Sequence, residues 1–298
     1  INGISGAQET TMVNPSENFF RFNMDGAQWG MGLGKYVVEK KGWKSIATVA
    51  EDYSFGYTNL LGFAMDFCSA GGEIVERHWV PLGTKDFASI IAALPDDVDA
   101  LYLGLGGGDA VNFLNQYLQA GGEANLIGGT IMVDGTVLNS KGNAKAVLIG
   151  TPSSGPQADT WDNAKWQGFV KQYQNAFPPE KRFPSPSLLA TGYYNSTRAM
   201  ILAMEAVKGD LSDGHKAFRN ALKNLTLDAP NGKISLDHNR QAIGTAFVTE
   251  VVEKADGTLV TKLVAKAEGV TQTLGLSPAE FAKIGTPSRE TPECKKWF

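Results

Sequence analysis

Between Trp29 and Thr151 the chain alternates short apolar runs with stretches whose apolar residues recur at helical spacing. The runs Ser45–Ala50, Glu73–Pro81, Asp99–Leu103, Asn125–Ile131 and Ala146–Thr151 have the length and side-chain character of strands. Between them Tyr57–Ala70, Asp86–Leu94 and Asp109–Ala120 read as helices, the last with Val111, Leu114 and Leu118 on one face. Gly71-Gly72 and Gly121-Gly122 follow two of these helices, where a C-terminal cap calls for positive φ. Strand starts recur about every 26 residues, a spacing that fits successive βα units. Apolar strands joined by crossover helices predict an α/β lobe with a parallel sheet covered on both faces.

The stretch 159–225 reads differently, as helices with hardly a strand among them. Gln167–Phe177 carries Phe169, Val170 and Tyr173 on one face, and Leu188–Val207 carries Tyr194, Thr197, Ile201 and Met204. A shorter helix is expected over Gly214–Asn224, with prolines at 178, 179, 184 and 186 breaking the earlier runs. Tyr193 and Tyr194, at helical spacing with Met200, Ile201 and Met204, read as core. These apolar faces need a sheet to cover, and residues 1–25 look like the late part of a lobe. One expectation is therefore a first lobe that lacks its N-terminal strands in this sequence; the other is a compact all-helical domain. Gly244–Glu253 and Thr258–Ala265 then flank Ala255-Asp256-Gly257, a hairpin signal that predicts an antiparallel edge on the sheet. The expected division is residues 1–25 and 152–243 in lobe one, 26–151 and 244–272 in lobe two, and a tail over 273–298. Three crossovers, near Arg21–Gly26, Thr151–Gly155 and Asn239–Gly244, form the hinge.

Composition narrows the function classes. A formal net charge of −4 provides no basic stripe and argues against a nucleic-acid partner. No apolar run approaches the ~18 residues of a membrane span. The sequence starts at Ile1 without a leader, which neither shows nor excludes a signal peptide. Cys68 falls on the apolar face of its helix and Cys294 in the tail; they read either as two separate thiols or as a disulfide pinning the tail to the first lobe or to a missing segment. His78, His215 and His238 are scattered, so no metal site is expected.

Ligands of doubly wound sheets bind beyond the C-terminal strand ends. Three loops lie there: the aromatic Glu51–Tyr57, the glycine-rich Gly104–Asp109, and Gly129–Asp134. Gly104-x-Gly106-x-x-Asp109 approaches a dinucleotide fingerprint, with Glu123 further on, but Asp109 replaces its third small residue. The simpler reading is a bare backbone that admits a ligand closely, with Asp109 as a helix N-cap. Neither Gly-x-Ser-x-Gly nor a Walker A motif is present, and Asp52 and Asp134 read as caps or solvated loop carboxylates before they read as acid–base groups. An enzyme is not expected, and no cofactor is called for.

The run Gly42-Trp-Lys-Ser-Ile-Ala-Thr-Val-Ala-Glu-Asp-Tyr-Ser-Phe-Gly56, followed by Gly71-Gly-Glu-Ile-Val, Thr84-Lys-Asp-Phe-Ala-Ser-Ile-Ile, Asp99-Ala-Leu-Tyr and Pro186-Ser-x-x-Ala-x-Gly-Tyr-Tyr194, resembles the branched-chain amino-acid-type substrate-binding proteins of ABC transporters. These are type I periplasmic binding proteins, and the likeness runs from about Ser5 to about Ala267. The resemblance implies a two-lobed Venus-flytrap fold and a periplasmic monomer, or a lipid-anchored extracytoplasmic one in a Gram-positive cell. Its partners would be a small solute and a membrane permease with its ATPase. It also implies that roughly a hundred residues of first-lobe βα units precede the position of Ile1 in family members. By position it places a carboxylate-gripping loop at Ser5, Gly6, Ala7 and Gln8, cleft aromatics at Phe55 and Tyr53, a cleft wall at Gly104–Gly107 including Gly106, and a further contact at Leu189. Amino-acid-binding members carry an acid where this chain has Thr130, Ile131 and Met132, with Asp134 the nearest carboxylate. A buried ammonium without a partner is costly, so the resemblance points to a carboxylate lacking an α-amino group and stacked on Tyr53 and Phe55; a slipped alignment puts Asp134 in the acid's role and restores an amino acid. The rival functions are a ligand-sensing regulator of the same fold and a Rossmann-like enzyme using Asp52 or Asp134.

Overall fold

The computed structural model describes residues 1–294, so the last four residues of the expected tail lie outside the description. Nine strands form one continuous sheet: β1 (Ser45–Glu51), β2 (Glu73–Val80), β3 (Ala100–Gly104), β4 (Asn125–Gly128), β5 (Pro152–Gly155), β6 (Leu227–Ala229), β7 (Gly232–Leu236), β8 (Ala242–Glu253) and β9 (Leu259–Val270). The order β2-β1-β3-β4-β5 is wholly parallel. β8 then pairs antiparallel with β5, and β9 folds back on β8. Period-two alternation explains the near-continuous apolar strands. Ala47, Val49, Leu101 and Leu103 enter the core under helix Gly107–Gln119, while Ile46, Ala100 and Tyr102 enter the core under helix Ser54–Ser69.

A third core joins Phe20, Phe22 and Trp29 to Leu188, Ala199 and Ala203 of helix Leu188–Ala206, and to the β6–β7 hairpin. β8 links this region to the main sheet as one strand, its Ala242 and Ile243 pairing with β7 and its Phe247–Glu250 with β5. The expected crossovers all lie along this seam: Arg21 bridges Gln241, and β5 runs beside β8.

Several local expectations are corrected. The strand expected over Ala146–Thr151 is a 3-10 turn, Asn143–Leu148, and the strand follows at Pro152–Gly155. The strand from Asn125 ends at Gly128, because Thr130–Val133 turns into a 3-10 helix. The helix after the glycine loop starts at Gly107 with Gly106 as its N-cap, so Asp109 sits inside the first turn. The hairpin β6–β7 was not expected; its register, Ala229↔Gly232, leaves Pro230-Asn231 as the turn, and Gly232 adopts φ 114°. The stretch 159–225 is helical as read, but Tyr193 and Tyr194 are exposed rather than core.

The cysteines form a disulfide, Cys68–Cys294, which ties the tail to helix Ser54–Ser69 rather than to lobe one or an absent segment. Beside it Arg289 ion-pairs with Asp52, while Trp79 Nε1 donates to the Arg289 carbonyl at 3.2 Å and Arg77 donates to the Pro292 carbonyl. Removing the bridge with Cys68→Ala/Cys294→Ala is expected to lower stability by about 2–4 kcal/mol, read by calorimetry; two titratable thiols in the non-reduced protein would contradict the bridge. The Arg289 guanidinium and the Tyr57 hydroxyl hold the Asp52 carboxyl below its usual range. A depressed carboxyl stabilises docking of the tail above the ordinary value near 4 and loses that contribution as pH falls through the lowered one. Protection of the amides around residue 289, relative to intrinsic exchange, is expected to fall below about pH 4, and in Asp52→Asn to be low throughout; equal acid sensitivity of protection in both proteins would count against it.

Candidate functional site

The strand order 2-1-3-4-5 reverses direction between β1 and β3, and in doubly wound sheets the crevice at that reversal receives ligands. The loops leaving β1 and β3 meet there. Glu51 ends β1, is buried, and accepts the Gly106 N–H at 3.1 Å, across the mouth of the crevice. Burial pushes the Glu51 carboxyl up, and the Asp109 charge acts in the same direction against the Gly106 hydrogen bond. Burial, then Glu51, pushes the Tyr53 phenol up as well. Asp109 accepts the Gly83 N–H at 2.7 Å. Two carboxylates of the chain thus occupy the N-terminal turn where a pyrophosphate would need free N–H groups, and the dinucleotide reading does not fit.

Phe55 stands beside this pair. Its ring lies 6.0 Å from Tyr53 and meets Trp29 edge-on at 5.9 Å. A Cβ at Gly6 would come within 2.6 Å of Phe55 Cδ2, so only glycine lets the N-terminal loop lie on the ring. Ile131 covers Gly106 equally closely, at 2.6 Å from a Cβ built there. Thr130 is buried and doubly bonded to Asn59, its N–H donating to Oδ1 at 3.1 Å and its Oγ1 accepting from Nδ2 at 3.0 Å. Asp134 accepts the Leu188 N–H at 3.1 Å, and burial pushes its carboxyl up. Leu189 is exposed next to that contact. Thr130, Asp134, Gln157 and Leu188 also line a separate cavity of about 50 Å³, the size of one or two waters.

The loop Ser5–Gln8 is shaped from beneath by Arg21, whose side chain is fully buried. One Arg21 nitrogen donates to the carbonyls of Ser5 at 3.0 Å and Ala7 at 2.7 Å, another to Thr11 Oγ1 at 2.8 Å, and Nε to Gln241 Oε1. Peptide N–H and C=O groups point oppositely. With the Ser5 carbonyl on Arg21, the Gly6 N–H faces away from the guanidinium and is polarised by its charge. The Gln8 side chain turns inward and donates to the Gln272 carbonyl at 3.1 Å. Asp25, 3.9 Å from Arg21, is wholly buried and accepts the N–H groups of Ala27 and Gln28 at 3.0 Å and Gln272 Nε2 at 2.8 Å. Burial pushes its carboxyl up and the Arg21 guanidinium down.

The structure thus gathers Tyr53, Phe55, Gly106, Ile131 and the loop at Gly6, and joins Thr130, Asp134 and the helix bearing Leu189 into an adjoining wall. Sequence reasoning missed Glu51, Arg21 and Asp25. The Arg21/Asp25 spacing of four was visible, but their burial was not. Arg21→Ala leaves the buried Asp25 unpaired and is expected to cost about 3–5 kcal/mol in urea unfolding. Adding Asp25→Asn should recover part of that loss; no recovery would show that the charge pair is not the cause.

A family model described as periplasmic binding protein matches residues 1–258. The chain is 26% identical over 267 residues to the Leu/Ile/Val-binding protein homolog 6 of Brucella melitensis, covering 87% of this chain and 66% of that relative's length. Among solved structures it is similar to a solute-binding protein of an ABC transporter from Rhodopseudomonas palustris BisB5 in complex with 3,4-dihydroxybenzoic acid (TM-score 0.77, 28% identity, 90% of this chain and 71% of that one). It is also similar to an R. palustris ABC transporter solute-binding protein in complex with benzoate (TM-score 0.74, 25% identity, 89% and 71%).

Proposed function

The chain belongs to the periplasmic binding protein family, and we propose that it captures an aromatic carboxylate between two lobes and hands it to an ABC permease and its ATPase. The observation that carries this reading is the Ser5–Gln8 loop, where Arg21 polarises the peptide chain and Phe55 packs on Gly6. An anion binds N–H groups backed by a positive charge, and a planar acid then lies along the ring. The two R. palustris proteins, at 25% and 28% identity, carry aromatic acids, which supports the class of solute.

The lobes are residues 1–25 with 152–243 and residues 26–151 with 244–272, moving about the seam at Arg21, β5 and β8. Closure buries the solute through contacts made only in the closed form. The exposed stripe of Leu189, Tyr193, Met200 and Ile201 supports a first lobe with a further covering layer. The protein works as a monomer outside the cytoplasm and turns nothing over, since Asp52 is held by Arg289 and Asp134 by Leu188. A second reading, a branched-chain amino acid, draws on the Brucella relative's name and on Asp134 as the acid for an ammonium group.

Thermal melts of the purified protein against benzoate, 3,4-dihydroxybenzoate, leucine and NAD separate these readings. An aromatic acid at ~1,000 times its dissociation constant is expected to add about 4 kcal/mol of stability, with leucine and NAD silent. A shift with leucine alone would transfer the function to amino acids, and a shift with NAD alone would overturn solute capture.

A further inference from the structure

The C-terminal tail is fastened at both ends of one helix. Helix Ser54–Ser69 carries Phe55 in its first turn and Cys68 next to its last residue. Cys68 is bridged to Cys294. At the other end Arg289 grips Asp52 with two nitrogens, Nε donating to Oδ1 at 2.8 Å and a terminal nitrogen to Oδ2. The Arg289 backbone is itself hooked to β2. Its carbonyl accepts Trp79 Nε1 at 3.2 Å and Arg77 at 3.4 Å, and Arg77 also donates to the Pro292 carbonyl. Asp52 in turn receives the Tyr57 hydroxyl, and the Tyr57 ring meets Trp79 edge-on at 4.9 Å. Tyr53 and Phe55, the aromatic wall of the crevice, lie in the chain between those two bonded residues.

An exposed ion pair contributes little by itself. This one is bidentate, which fixes its geometry, and the bridge presents Arg289 to Asp52 within one molecule at a high effective concentration. Resting on the proposed capture of a solute in the crevice, we infer that residues 289–294 form a strap and that Arg289 is a positioning residue. It acts through Asp52 to order Tyr53 and Phe55 before a solute arrives. The strap holds only while the bridge is oxidised. Cys294 is half-buried and borders a hollow open to solvent, with Ile74, Val75 and Glu290, so the bridge is open to a small dithiol. One thiolate of the dithiol attacks a sulfur and breaks the Cys68–Cys294 bond, and its second thiol resolves the mixed disulfide. Two electrons and two protons pass to the cysteines, and the dithiol leaves as a cyclic disulfide. Arg289 then keeps only its hydrogen bonds, and ordering the wall falls on the binding step.

The test is solute-free hydrogen exchange on oxidised wild type, wild type reduced with dithiothreitol, Arg289→Lys, and Arg289→Ala both oxidised and reduced. Exchange over residues 52–57 is expected to rise about tenfold in reduced wild type and in oxidised Arg289→Ala, while β3 and β4 keep their protection. Reducing Arg289→Ala should add little, because both cuts release the same strap. Arg289→Lys keeps the charge but loses the two-pronged contact, and should fall between. Titration calorimetry with 3,4-dihydroxybenzoate should then show binding about tenfold weaker in the two released proteins. Unchanged exchange over 52–57 overturns the strap, and so does equal loosening of β3 and β4, which marks general destabilisation. A looser loop with unweakened binding overturns the positioning role and leaves solute capture standing. If the acid binds none of these proteins, the aromatic-carboxylate reading fails, and exchange alone upholds or refutes the strap.

Discussion

A fully buried arginine has five N–H donors to place and no water to place them in. Arg21 meets that demand with the Ser5 and Ala7 carbonyls, Thr11 and Gln241, and its charge with Asp25. The partners come from three pieces of the molecule: the N-terminal segment with Ser5, Ala7 and Thr11, Asp25 before Gly26, and Gln241 just ahead of β8. Asp25 extends the set through Gln272, and Gln28 extends it through the Ala242 and Val270 carbonyls at 2.8 Å each. The seam along Arg21, β5 and β8 is therefore a buried polar network, in which Gln272 Oε1 is left without a hydrogen-bond partner. Buried polar groups of this kind are costly when unpaired, so the bonds they do make favour one register.

The conformation of Ser5–Gln8 follows from that network. Its carbonyls are drawn downward by Arg21, and Gly6 accepts the Gly26 N–H through its own carbonyl at 2.9 Å. The same Gly26 packs against Phe55, which stands at the head of helix Ser54–Ser69. The Ser5–Gln8 loop and the Phe55 wall are consequently set by one junction. The tail reaches the other side of this wall, through Asp52 and the Cys68–Cys294 bridge, so the β1 loop is held from both flanks.

The parallel sheet was legible because strands buried on both faces show as apolar runs at even spacing. The hairpin at Ala255–Gly257 was legible because Asp-Gly marks its turn. The hairpin β6–β7 carries an equally plain Asn231-Gly232, overlooked because it follows helices closely and its strands are short. β5 was misplaced because Ala146–Leu148 is as apolar as any strand, whereas Pro152–Gly155 is not; neighbouring strands, rather than its own residues, make it one. At the site, aromatic and glycine loops were found from their place at strand ends. Glu51 was passed over because a strand-ending acid normally faces water, and only the approach of Gly106 reveals that it does not. The Cys68–Cys294 pairing spans 226 residues, a separation that no local pattern resolves.

On the proposed reading the crevice has two electrical poles. At one, Arg21 stands behind the Gly6 N–H; at the other, Glu51 and Asp109 sit at a helix N-terminus. Phe55 lies between, touching Gly6 at one edge and 6.0 Å from Tyr53. A solute whose carboxylate sits at the first pole must reach the second with something neutral or proton-donating. An α-amino acid carries its ammonium one carbon from its carboxylate, and so presents that cation beside the Arg21-backed loop instead of at the distant acids. A planar ring puts its far substituent across the width of Phe55, toward Tyr53. On that reading, selection of rigid aromatic acids over zwitterions would follow from where the chain's own charges are held.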